Sequence, residues 1–168
     1  VKAIIKSGKE NGYDLRVLQS VEDVNNDQKH VLVKKVKSEF GNNLNGKHFA
    51  LWGLSFKPDT DDMREAPSIV IAKELIALGA TVSAYDPVAG AEAKKHLGNS
   101  IMYSDNSYSA LKGADALLLV TEWKEFRFPE WNRIKDLLKT PIIFDGRNIY
   151  SSSELRAAGF VYHGIGTK

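Results

Sequence analysis

Three cations and one helix start are the features of this sequence best suited to chemistry. Lys57 and Arg64 bracket the polar loop Lys57-Pro58-Asp59-Thr60-Asp61-Asp62-Met63-Arg64, and Arg147 follows Asp145-Gly146. A helix that opens at Pro67 leaves backbone N–H groups unpaired beside that loop, and guanidinium forks match phosphate oxygens, so the set predicts an anion site. Salt bridges to Asp59, Asp62 and Glu65 are the alternative use of the same cations. Asp59, Asp61 and Asp62 have neither the turn glycine nor the distant Glu of a calcium loop, and read as a solvated loop or as partners for Arg64. His30, His48, His96 and His163 include no pair at ligand spacing, so no metal is expected. Trp123 and Trp131 flank Phe126 and Phe128, a pattern of core or interface. There is no cysteine, which removes disulfides, thiolate metal sites and any thiol nucleophile from these residues.

Asp86 ends the second predicted strand, where a dinucleotide fold places the acid that binds a ribose. The preceding turn, Gly53-Leu54-Ser55-Phe56-Lys57-Pro58, lacks the Gly-x-Gly-x-x-Gly fingerprint, so there is no glycine pair for close approach to a pyrophosphate. Independent NAD binding is therefore disfavoured, and Asp86 is assigned to capping or to solvent.

The elements that must hold these residues follow from hydrophobic periodicity. Phe49 to Phe56 is an apolar run stopped by Lys57-Pro58-Asp59, a buried strand; Ile69, Val70, Ala72, Leu75, Ile76 and Leu78 then give helical spacing from Pro67 to a stop at Gly79. Further strands are predicted at Thr81–Tyr85, Ile101–Tyr103, Ala116–Val120, Pro141–Arg147 and Phe160–Ile165. Helices are predicted over Ala91–Leu97, Tyr108–Lys112 and Phe126–Leu138, and Ser151 to Glu154 fits a capping box for one closed by Gly159. Strands alternating with helices make the fold class α/β, a Rossmann-like doubly wound parallel sheet. Leu15 to Phe40 reads as one long amphipathic helix ahead of the sheet, split in its apolar stripe by Glu22, Asn25, Asn26, Asp27 and Gln28. It is either a packed helix with a solvated middle or a connecting helix carrying a subunit interface. Val1 is not an initiator Met, and the first residues look like the continuation of something upstream.

With 168 residues the chain can build one domain with a sizeable core and an additional element. Lys and Arg number 23 against 21 Asp and Glu, a net charge of +2, so there is no electrostatic footprint for nucleic acid. No stretch reaches the roughly 18 apolar residues of a membrane span. A soluble, cytoplasmic protein is expected.

The run Gly53-Leu54-Ser55-Phe56-Lys57-Pro58-Asp59-Thr60-Asp61-Asp62-Met63-Arg64-Glu65-Ala66-Pro67-Ser68 resembles the signature of the carboxyl-terminal domain of the UDP-glucose 6-dehydrogenase family. Tyr85-Asp86-Pro87, Thr121-Glu122-Trp123 and Phe144-Asp145-Gly146-Arg147-Asn148 fit it in the same order. The resemblance covers essentially the whole chain, and dehydrogenases of GDP-mannose and UDP-N-acetylmannosamine share much of it. It implies a connecting and dimerisation helix region over 1–40 and a UDP-binding Rossmann-like domain over 41–168. It also implies that Phe56, Lys57 and Arg147 contact UDP-glucose or UDP-glucuronate, and that Arg64 touches NAD. NAD would be bound mainly by an amino-terminal domain not contained in this sequence. The family oxidises the sugar alcohol twice, reducing two NAD through a cysteine-bound thiohemiacetal and thioester; no catalytic residue of that kind falls within this chain. The implied assembly is a homodimer through the long helix. A related GDP-mannose or UDP-N-acetylmannosamine dehydrogenase, and a free-standing dinucleotide-binding or dimerisation module, are the competing readings.

Overall fold

A computed structural model describes residues 1–166; the last two residues of the expected 41–168 domain lie outside the described residues. The chain order is α1 (Lys2–Glu10), α2 (Arg16–Gln28), α3 (Val31–Phe40), β1 (His48–Trp52), α4 (Pro67–Ala77), β2 (Thr81–Tyr85), α5 (Gly90–Leu97) and β3 (Met102–Tyr103). Then come α6 (Ser107–Leu111), β4 (Ala116–Leu119), a 3-10 turn at Lys124–Phe126, α7 (Trp131–Leu137), β5 (Ile142–Asp145), α8 (Ser152–Ala157) and β6 (Val161–Gly164). The strands form one parallel sheet in the order β3-β2-β1-β4-β5-β6. Among the described residues no helix is long and apolar enough to cross a membrane.

Side chains alternate across the sheet and both faces are covered, as a parallel sheet requires. Phe49, Leu51, Leu118 and Phe144 face a core shared with α3, α4 and α5 through Leu32, Val36, Ile71, Leu75 and Ala93. Ala50, Trp52, Leu117 and Ile143 face the other core, closed by Leu111 of α6, Ile134 of α7 and Leu155 of α8.

The single helix expected over Leu15–Phe40 is two. At Lys29 and His30 the backbone N–H groups turn to the carbonyls of Asn26 and Asp27, three residues back, and the four-back pattern resumes with Lys34 to His30. The polar run Asn25 to Gln28 gives the first half no core face: α2 buries no residue, whereas α3 buries Leu32, Val33 and Val36. The bend is held from outside, by Lys29 on Glu65 at 2.6 Å and by His30 on Glu74.

Candidate nucleotide cleft

Gly53 follows the last residue of β1, three residues before the apolar run stops at Phe56. Its φ is +87°, and a Cβ there would stand 2.4 Å from Cβ of Thr121 and 2.6 Å from its backbone N. Only glycine permits both the left-handed turn and the approach of β4's exit segment. Leu54, Ser55 and Phe56 then belong to a loop. Phe56 donates its N–H to the carbonyl of Asp62 at 2.8 Å, Ser68 Oγ donates to Leu54 O at 2.5 Å, and Thr121 Oγ1 donates to Ser55 O at 2.5 Å.

Asp86 anchors the same loop. It is buried and takes N–H groups from Leu54, Ser55, Val88 and Ala89 and the indole N–H of Trp123. Burial alone would raise this carboxyl; the backbone donors Leu54, Ala89, Ser55 and Val88 hold it below the ordinary Asp value. Asp86 is thus a cap and tether, and Trp123 is a core residue with its polar tip satisfied.

A cleft of about 600 Å³ opens at the carboxyl ends of β1, β4 and β5, where the strand order reverses direction. Phe56, Val120, Gly146 and Arg147 line its sheet side, Glu65 and Pro67 the start of α4, and Glu22, Asn25, Gln28 and Lys29 its helical wall. Arg147 donates its N–H to Asp145 at 2.9 Å, and its guanidinium grips both oxygens of Glu122, Nη2 to Oε1 at 2.7 Å. Burial would raise Glu122, but the Arg147 guanidinium brings it below the ordinary carboxylate range.

Of the sequence-predicted residues, Phe56 and Arg147 share this cleft. Lys57 is exposed and stands outside its lining. Arg64 faces a second, shallower depression with Thr60, Asp61, Met63 and Glu92. Its Nε and Nη2 meet the two oxygens of Asp62 at 3.0 and 2.9 Å, and this drives the Asp62 carboxyl to about 2. The three cations therefore do not converge on one point, because the Asp-rich loop holds Arg64 on its own side. Arg147 takes Glu122 as its partner instead of Asp59, Asp62 or Glu65.

Sequence reasoning missed the pairing of Lys2 and Lys29 on Glu65, each at 2.6 Å. Glu65 has a φ of +62°, and hydrogen bonds from Lys2 and then Lys29 lower its carboxyl to about 2. The signal that could have found the wall was the polar insert of α2, since Glu22, Asn25 and Gln28 are the side chains it turns to the cleft. The histidines serve the scaffold: His48 meets Thr81 and Ser83 at 2.8 and 2.9 Å, and His163 meets Glu39 at 3.1 Å.

Residues 50–152 match the family model described as UDP-glucose/GDP-mannose dehydrogenase family, UDP binding domain. The chain is 43% identical over 99% of its length to UDP-glucose 6-dehydrogenase of Pseudomonas aeruginosa, and 47% identical over 93% to UDP-glucose 6-dehydrogenase YwqF of Bacillus subtilis. It spans 38% and 35% of those two proteins. A UDP-glucose dehydrogenase structure from Pyrobaculum islandicum superposes with a TM-score of 0.82 at 26% identity, over 99% of this chain and 36% of that one.

Proposed function

This chain belongs to the UDP-glucose/GDP-mannose dehydrogenase family, and from that premise we propose that it is the nucleotide-sugar-binding part of a UDP-glucose 6-dehydrogenase. The observation that carries the reading is the meeting of Phe56 and Arg147 on one cleft at the reversal point of the sheet, beside the start of α4. UDP-glucose or UDP-glucuronate is the ligand, with Phe56 and Arg147 as its contacts within the cleft and Lys57, the next residue of the Phe56 loop, as a contact from outside the lining. Arg147 offers a planar two-point donor set to oxygen acceptors, and Glu122 keeps that plane fixed until a ligand arrives. Phe56, 47% exposed, offers an aromatic face.

In the complete reaction UDP-glucose, two NAD and water give UDP-glucuronate and two NADH. That needs a thiolate and a hydride acceptor, and the 168 residues here include no cysteine. This chain's contribution is to bind and orient the nucleotide sugar. NAD is held mainly by another domain, with Arg64 reaching toward it. The turn after β1 supports that division, because it carries one glycine and Asp86 has no free acceptor to offer a ribose. Residues 1–40 form the connecting region, with α3 bedded against the sheet, and 41–168 the UDP-binding domain. A second copy docks on α2, whose Val17, Val21 and Val24 are exposed.

Calorimetry with UDP, UDP-glucose and NAD added separately tests the reading. UDP compounds should bind weakly and NAD should give no heat, and mixing the chain with UDP-glucose and excess NAD should yield no NADH absorbance. Micromolar NAD binding without a response to UDP would overturn it.

A further inference from the structure

We propose that Asp86 is the positioning residue of the nucleotide cleft: it fixes Phe56 and the Glu122–Arg147 pair relative to one another without touching the ligand. This rests on reading the cleft as a UDP site.

The carboxylate of Asp86 stands where an acid would reach out to a ribose, yet it points inward and is filled. Its Oδ2 accepts from Leu54 N at 2.7 Å, Ser55 N at 3.0 Å, Ser55 Oγ at 3.2 Å and Trp123 Nε1 at 3.0 Å. Its Oδ1 accepts from Val88 N at 3.0 Å and Ala89 N at 2.7 Å. An ionised carboxylate has about four acceptor sites, and these donors exhaust them.

The donors come from three segments that nothing in sequence joins. Leu54 and Ser55 lead straight into Phe56. Trp123 adjoins Glu122, the residue that grips Arg147. Val88 and Ala89 form the entry to α5. Thr121 closes the ring by donating to Ser55 O. Phe56 is 47% exposed and the Arg147 side chain 33% exposed, so packing leaves both side chains room to move. The Arg147 backbone is set by β5 through Asp145, but its guanidinium takes its direction from Glu122, and Phe56 and Glu122 stand on the two segments that Asp86 joins. A buried network of this kind is rigid while every member is satisfied and costly once one is removed.

Two variants test this, each followed by calorimetry with UDP and by amide hydrogen exchange. Asp86→Asn replaces one acceptor oxygen by an amide that meets N–H donors whichever way it is turned. Trp123→Phe removes the indole donor, at the cost of some buried ring volume, and keeps an aromatic ring in the core. In both, exchange at Leu54 and Ser55 should rise about tenfold while β4 is unchanged, and the Kd for UDP should rise about tenfold for Asp86→Asn and about threefold for Trp123→Phe. Unchanged exchange at those two amides overturns the proposal. So does accelerated exchange with UDP affinity per folded molecule unaltered, the result of a role confined to stability. If Asp86→Asn does not fold, Trp123→Phe decides. A wild-type chain that ignores UDP sinks the functional reading alone, and the exchange data then judge the tether.

Discussion

Arg147 owes its orientation to a carboxylate 25 residues earlier in the chain, Glu122, and no local pattern predicts that pairing. Arg147→Lys should weaken UDP binding by about 1.5–3 kcal/mol, because an ammonium cannot reproduce the fork. Unchanged affinity by calorimetry would reduce the residue to a salt bridge. Glu65 makes a second prediction. Its carboxyl is lowered from 4.5 to about 2 by Lys2 and Lys29. A depressed folded value means that the stabilisation is complete above the ordinary 4.5 and is lost as pH falls toward about 2. Protection factors in α1, taken against the intrinsic exchange rate at each pH, should therefore fall over that interval, since Lys2 is its tie to the loop. Constant α1 protection down to pH 2 would show that the tie contributes nothing.

Among the elements, β1 and its exit carry the site, and Gly53 is the position where they are most easily broken. Gly53→Ala would combine a left-handed φ of +87° with contacts of 2.4–2.8 Å to Thr121. A loss of about 2–5 kcal/mol is expected, read as a fall in denaturant midpoint. Local signals explain what the sequence told. β2 falls on Thr81–Tyr85 as expected because alternation and Asp86-Pro87 bound it on one side and Gly79 on the other. The strand expected to run to Phe56 ends at Trp52, since an apolar run does not reveal that Gly53 turns out of the strand. The expected helix over Phe126–Leu138 divides into a 3-10 turn and α7 because Pro129 cannot donate within a helix; Phe128 is left 93% exposed between them. The bend at Lys29–His30 depends on Glu65 and Glu74, partners that periodicity cannot supply. The same holds for the site: residue types point to Lys57, Arg64 and Arg147, and the family resemblance adds Phe56, but which cations share a cleft is decided by long-range pairing.

At the scale of the molecule, α2 is the face with the least cover. Val17 and Val24 are 78% and 65% exposed on a helix that buries nothing. Self-association there predicts a dimer in sedimentation, and Val17→Glu with Val24→Glu should return a monomer; an unaltered species would place the contact elsewhere. The two outer strands of the sheet bear on what happens at higher concentration. β3 has two residues and β6 four, so each rim presents only a few unpaired N–H and C=O groups. An unpaired strand is a template onto which further chains can add, and short ones template poorly. Association through a helix face that is its own complement ends at two, and a sheet with so little rim gives a third copy nowhere to continue, so concentrated solutions should stay clear of fibres.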